Sequence, residues 1–358
     1  MLILDDICIA KTKGIAAKDV AETGKYPVFG ATGLMGYLDT YESENEYVGI
    51  IKDGAGVGRT NIYPAKSSLL GTMQYIFPKE NIDIKYLMYL LRSLNLGGAA
   101  AGAAIPHIYF KNYKKSMVPE CDFEKQKLIS KLLEKIENLI KLKQKQLFSL
   151  DELVKSRFIE MFGDFFNGDS KYPLIKISDV VASKIERASK DFQPDDLIRY
   201  VDISSIDNKR NVIVGYTEYI KKEAPSRAQQ HVRINDIVIS TVRPNLNNVA
   251  RIHDNYNNIV ASSGFCVLRA EKIESDYLFG IVSMQPFANY LNSLTTGANY
   301  PAVSDKDILN FMIPNPSNNK QKEYAEFVKQ VDKSKFIVQK QIEDLQELLD
   351  SKMDEYFG

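Results

Sequence analysis

Tryptophan is absent from this chain, and cysteine and histidine occur three times each. Cys8, Cys121 and Cys266 are far apart and odd in number. They argue against a disulfide framework or a zinc cluster and suit free thiols in a reducing cytoplasm. His107, His231 and His253 are isolated, without metal-ligand spacing. No apolar run approaches the length needed to span a bilayer. The opening residues carry Asp5 and Asp6 where an export signal wants bases, so a cytoplasmic protein is expected. Net charge is also lacking, with 46 basic and 46 acidic residues. A strong nonspecific polyanion binder is thereby disfavoured, and any DNA-binding surface has to be local. Eight of the 11 arginines lie in residues 164–312, so the acids there have to be segregated to other faces.

Catalytic patterns are missing too. The run Gly54-Ala-Gly-Val-Gly-Arg-Thr invites a nucleotide-binding reading. A P-loop, however, needs glycine where Asp53 stands and lysine where Arg59 stands. The dinucleotide fingerprint needs its third glycine one position after Gly58, on a helix that the sequence does not predict there. A hairpin loop is the simpler reading. Asn315-Pro316-Ser317 lacks the second proline and the aromatic of the amino-methyltransferase motif. No Ser–His–Asp or Cys–His arrangement and no spaced carboxylate set is visible. The sequence therefore predicts a chain without a catalytic site.

What the chain does have is a repeat. Residues 118–163 align with 313–358 at a constant offset of 195, without a gap and with 14 identities. Pro119, Lys125-Gln126-Lys127, Gln144-Lys145-Gln146, Leu150 and Phe162-Gly163 meet Pro314, Lys320-Gln321-Lys322, Gln339-Lys340-Gln341, Leu345 and Phe357-Gly358. The register extends backward, where Gly102-Ala103 and Pro106 meet Gly297-Ala298 and Pro301. Such a repeat governs how the rest is read.

Each copy predicts one long helix. Apolar residues recur at steps of three and four, and no Pro or Gly interrupts either run before Gly163 and Gly358. Roughly 38 residues make about 57 Å of helix. A narrow apolar stripe of that length needs a partner, and the other copy supplies one. Leu132, Ile136, Leu139 and Leu150 are expected to pair with Val331, Val338, Ile342, Leu345 and Leu349. Two unrelated helices in separate cores would not need this length or this matching. The connections make the pair antiparallel, a coiled coil with one globular half at each end and a pseudo-two-fold between them.

The remaining segments follow one order twice. Residues 1–118 predict short strands, the glycine-rich loop and a helix over 85–94. Residues 164–313 predict strands, the polar loop Arg243-Pro-Asn-Leu-Asn-Asn and a helix over 277–291. Ile175-Lys-Ile-Ser-Asp-Val echoes Leu2-Ile-Leu-Asp-Asp-Ile. The plan is α+β: globular domain 1–118, helix 119–163, globular domain 164–313, helix 314–358.

These features together resemble the specificity subunits of type I restriction–modification enzymes. The resemblance spans the whole chain. It rests on the repeated Pro-x5-Lys-Gln-Lys start, the Gly-Ala…Pro segment before each copy, and Tyr26-Pro-Val-Phe-Gly-Ala-Thr-Gly. The departure is a Lys at positions 125 and 320, where the family commonly has an acid. The resemblance implies a non-catalytic reader of double-stranded DNA, with two target-recognition domains that each read half of a split site. It implies that the helices dock two methyltransferase subunits, with restriction subunits as an optional further component. S-adenosylmethionine, ATP and Mg would then belong to those partners and not to this chain. Two half-sites about 34–36 Å apart suit a domain at each end of a rod.

Base edges are read by the side chains that reach them, while phosphate contacts position the protein, and loops between strands at equivalent places in the two domains are the candidates. In the first domain the candidates are Lys52 and Arg59, with Lys66 as a phosphate contact. In the second, Arg243 suits guanine and Asn245 or Asn247 adenine, with Arg227, Arg233 and Arg251 on phosphate. A DNA-binding or scaffold protein of another class, using the coiled coil only to oligomerise, is the alternative.

Overall fold

Both copies of the repeat fold as a single unbroken helix of 40 residues, Phe123–Phe162 and Asn318–Phe357. The structure is a computed structural model that describes residues 2–54, 56–98, 106–295 and 301–358. The segments Gly102-Ala103 and Gly297-Ala298 lie outside the described residues. Asp122 caps the first helix by accepting the Lys125 amide at 2.9 Å. That helix stops at Gly163, which takes φ +85°. A side chain there would come within 2.2 Å of the Asp169 carbonyl, so only glycine fits this C-terminal turn.

The chain forms two compact units. The first is Met1–Lys145 with Val338–Gly358, and the second is Gln146–Ile337. Each unit therefore owns one globular domain and one half of each long helix.

In the first unit a four-stranded antiparallel sheet runs in the order Cys8–Lys11, Met73–Pro78, Tyr47–Ile51, Thr60–Tyr63. All five residues of Tyr47–Ile51 are buried, as an inner strand requires. One core packs Val48, Ile50 and Ile76 under the helix Ile84–Ser93, whose Tyr86, Leu87, Leu90 and Leu91 point inward. Ile129 and Leu133 of the first long helix enter that core, and Leu349, Met353, Tyr356 and Phe357 of the second pack against it. A second cluster holds Tyr47, Tyr63, Tyr75 and Leu69 beside a three-stranded sheet of Gly33–Leu38, Tyr26–Gly30 and Ser68–Leu69.

The second unit has a four-stranded sheet, Thr217–Ile220, Leu197–Val201, Ile259–Ser262, Ala228–His231. Beside it in sequence is a three-stranded antiparallel sheet, Val249–Arg251, Ile237–Ser240, Phe265–Leu268. The helix expected over 277–291 is two helices, Ser275–Val282 and Gln285–Ser293. The break precedes Pro286, which fits the first turn of a new helix but not the interior of a continuous one. Phe158 and Phe162 stack among Tyr277 and Tyr324 in the main core, with Phe162 and Tyr277 ring centres 4.7 Å apart. Within this unit the two long helices run antiparallel. Asp151 meets Lys335 at 2.6 Å and Arg157 meets Glu323 at 3.0 Å, so rising numbers on one helix face falling numbers on the other.

The two halves repeat their construction in detail. Leu2–Ile3 pairs antiparallel with Met117–Val118, and Leu174–Lys176 pairs with Met312–Pro314. Leu2 faces Val118 as Ile175 faces Ile313, so the echo between the two openings has a common register. The Lys-Gln-Lys motif also has one structural meaning twice. Gln126 and Gln321 are 2% and 1% exposed. The Gln126 carbonyl accepts the amide of Asp83, the residue that caps helix Ile84–Ser93, at 2.9 Å. Its amide group donates to the Cys121 carbonyl at 2.8 Å. Gln321 accepts the amide of Glu274, the residue preceding helix Ser275–Val282, at 2.9 Å and donates to the Pro316 carbonyl at 2.9 Å. Only a side chain with both a donor and an acceptor makes this clamp.

Candidate nucleic-acid interface

The two candidate loops occupy the same backbone frame. In the first unit, Gly54 donates its amide to the Pro106 carbonyl at 3.1 Å and Ile108 donates to the Lys52 carbonyl at 2.9 Å. In the second, Arg243 donates to the Pro301 carbonyl at 2.8 Å and Val303 donates to the Thr241 carbonyl at 2.9 Å. Pro106 and Pro301 are partners in the repeat, as are Ile108 and Val303. Each loop therefore leaves its inner strand at an equivalent point but carries different side chains.

The first loop joins the antiparallel neighbours Tyr47–Ile51 and Thr60–Tyr63, with Ile50 opposite Thr60. That is a hairpin connection, whereas a P-loop leads from a strand into a helix. Gly54, Gly56 and Gly58 all take φ between +85° and +87°, and Gly58 lies so close to Gly97 that a side chain would reach its amide at 2.5 Å. Lys52 is tied to Asp53 at 2.9 Å, and the Asp53 carboxylate accepts a hydrogen bond from His107 Nδ1 at 2.7 Å. Burial pushes the Asp53 carboxyl up, but the hydrogen bonds from His107 and Lys52 outweigh it and hold the carboxyl below its ordinary range. Arg59 is exposed and reaches back to the Gly56 carbonyl at 3.3 Å. Lys66 is exposed in a left-handed turn, 3.8 Å from Glu44.

In the second loop Arg243 and Asn245 are exposed and Pro244 is buried beneath them. Arg243 takes φ +50°, ψ +59°, a left-handed conformation that an arginine rarely adopts. Asn247 does not face outward as a base reader would: its amide donates to the Ser283 carbonyl at 2.8 Å. Arg227 is exposed at the edge of strand Ala228–His231. Arg233 is exposed but salt-bridged to Glu186 at 2.7 Å. Arg251 corrects the expectation of a phosphate contact. It is 7% exposed, ion-paired with Asp276 and stacked on Phe279, because it occupies an inward position of strand Val249–Arg251. Lys209 and Arg210, which no motif singles out, are both exposed at the tip of a hairpin against this loop. Their only sequence signal was an Asp-Asn-Lys-Arg-Asn turn.

The long helices place the expected pairing residues unevenly. Ile136, Val331 and Val338 are buried, and Leu150, Ile342, Leu345 and Leu349 are half-buried. Leu132 and Leu139 face outward. On the first helix the buried row is Ile129, Leu133, Ile136 and Ile140. Leu128, Leu132, Leu139 and Leu142 make a second row at helical spacing, with Leu128 69% and Leu142 62% exposed. Both rows satisfy the same periodicity, and packing in the first unit selects the one that Leu133 belongs to.

Comparison with known proteins places this architecture. The family described as the type I restriction modification DNA specificity domain matches residues 2–152 and 169–347. The chain belongs to that family. As a specificity subunit it is a non-catalytic, targeting component of a type I restriction system. It is similar to the type I restriction enzyme MjaVIII specificity subunit of Methanocaldococcus jannaschii, at 25% identity over an alignment 369 residues long. That match covers 93% of this chain and 80% of the relative. The crystal structure of the type I restriction–modification S subunit from M. genitalium shares the fold, with a TM-score of 0.59 and 15% identity over 100% of this chain and 95% of that one. The HsdS subunit from Thermoanaerobacter tengcongensis is 31% identical over 46% of this chain and 43% of its own, with a TM-score of 0.41. The family model divides the specificity subunit into one match per half, in keeping with the repeat. Among the described residues no cluster of His, Cys, Asp or Glu is placed to hold a metal ion, and no helix is long and apolar enough to cross a membrane.

Proposed function

We propose that this specificity subunit recognises a bipartite DNA target, one half-site per globular domain, and that the helical pair docks two methyltransferase subunits. The observation that carries this is the common frame of the two loops. One backbone geometry carries a half-buried Lys52 and an exposed Arg59 in one half and exposed Arg243 and Asn245 in the other. A shared frame with different side chains suits two unlike half-sites read in the same manner. The exposed leucine row on the first helix supports docking, since a contiguous apolar strip on a charged helix wants a cover. Restriction subunits would join such a complex, and S-adenosylmethionine, ATP and Mg would be held by the partners.

The test is co-expression with a type I methyltransferase subunit from the same genome, followed by single-molecule sequencing of the host plasmid for N6-methyladenine. A methylated split motif that vanishes when this chain is omitted is the expected result. Methylation that is independent of the chain would overturn the reading. So would a motif unchanged by Arg59→Ala and by Arg243→Ala together.

A further inference from the structure

The hairpin tip at 207–211 has the character of a second, unassigned part of the DNA interface. Strands Ile206–Asp207 and Val212–Ile213 pair, with Asp207 opposite Val212. The Asp207 carboxylate accepts the amides of Lys209 at 2.9 Å and Arg210 at 3.2 Å, which closes the turn and uses the local negative charge internally. Lys209 and Arg210 are exposed, and among the described residues neither side chain forms an ion pair. On either side of them stand two asparagines that reach across to the Arg243 loop. Asn208 donates to the Leu246 carbonyl at 2.9 Å. Asn211 donates to the Asn247 carbonyl at 3.0 Å and to the Val249 carbonyl at 3.1 Å.

These bonds restrain a loop that is not at ease. Arg243 and Asn247 both sit in the left-handed region, Arg243 immediately before a proline. That conformation is costly for a residue with a long side chain, and it persists only where surrounding contacts over-determine it. The contacts are the Asn208 and Asn211 donors on one side and the Ser283 and Pro301 carbonyls on the other. Their effect is to aim Arg243 and Asn245 outward while Asn247 is spent on scaffolding.

We infer that the 207–211 tip does two jobs in half-site recognition: Asn208 and Asn211 are positioning residues for the Arg243 reading loop, and Lys209 and Arg210 contact the DNA phosphates beside it. This rests on the proposed recognition of DNA and assigns the residues that would carry it in the second unit. Arg243 and Asn245 supply base discrimination. The tip supplies register and a sequence-independent share of affinity.

The experiment uses the full chain in complex with its methyltransferase, a random-sequence duplex library, and competition binding across a salt series. Asn211 itself takes φ +54°, and Asn211→Asp keeps the size and the tolerance of that left-handed conformation but replaces the donor with an acceptor facing two carbonyls. It should relax the second half-site at the same base pairs as Arg243→Ala, by about ten- to a hundredfold, and leave the first half-site intact. Lys209→Gln with Arg210→Gln, both surface changes that leave the fold alone, should preserve the selected motif and weaken binding to all duplexes. The slope of log affinity against log salt should fall by about two. A folded Asn211→Asp chain with the parental motif would overturn the positioning role, and an unchanged salt slope in the double variant would overturn the phosphate role. Selection of no split motif by the unsubstituted complex is a separate result, and would remove the recognition reading itself.

Discussion

Replacing Gln321 with methionine keeps the side chain's length and unbranched shape and removes both its hydrogen-bonding groups. The Glu274 amide and the Pro316 carbonyl, now 2.9 Å from Gln321, would each lose a partner beside a side chain that is only 1% exposed. Orphaning a buried polar group costs about 1–3 kcal/mol, so the pair should cost about 4 kcal/mol. For a unit the size of Gln146–Ile337, each kcal/mol moves the thermal midpoint by about 2–4 °C. The second unit should therefore melt about 8–16 °C earlier, as followed by circular dichroism or calorimetry. The same substitution at Lys322, exposed one residue away, should move the midpoint by no more than about 2 °C. Gln321→Glu adds a test of sign. An ionised carboxylate cannot donate to Pro316, whereas the protonated acid can donate and accept. Its folded-state pKa should be raised, so the variant should be most damaged at neutral pH. It should recover toward the parent as pH falls through that raised value. If Gln321→Met melts with Lys322→Met, the clamp is not a stabilising element and the reasoning fails. Gln126→Met poses the same question to the first unit, through Asp83 and Cys121.

The choice between the two apolar rows is testable by neighbours: Leu133→Ala should cost about 3 kcal/mol in denaturant unfolding, and Leu132→Ala should cost little stability but weaken assembly with the methyltransferase. Equal costs would place the seam elsewhere. Glu186 has its carboxyl held below the ordinary range, chiefly by the hydrogen bond from Arg269. Its contribution should be complete above the ordinary glutamate range and lost as pH falls through the lowered value, so Glu186→Gln should flatten the acid limb of the stability profile. Native-state titration with a thiol reagent should modify at most Cys121. Cys8 and Cys266 are buried and burial raises both thiols, Cys8 to about 12. Rapid reaction of all three without denaturant would contradict the packing of both cores.

The sequence by itself determined a good deal of this. Spacing of apolar residues and the absence of Pro and Gly were enough to mark two long helices and their ends, because helix formation and termination depend on residues within one or two turns. Offset identity marked the repeat, and the repeat marked the two-part plan. The Gly54–Gly58 run was legible as a hairpin loop because its flanks have strand composition on both sides. Other matters were decided only by tertiary structure. Leu132 and Leu133 both obey helical spacing, and only the neighbours in the first unit settle that Leu133 goes inside. Arg251 looks like its fellow surface arginines until its strand is seen to turn it toward Asp276 and Phe279. Gln126 and Gln321 read as polar surface residues, yet each is buried by a group more than forty positions away in the chain. The 207–211 tip gains meaning only when folding sets Asn211 against a loop beginning at Arg243. Local conformation follows from adjacent residues. Burial, hydrogen-bond partnership and the display of a side chain follow from residues that only the fold brings together.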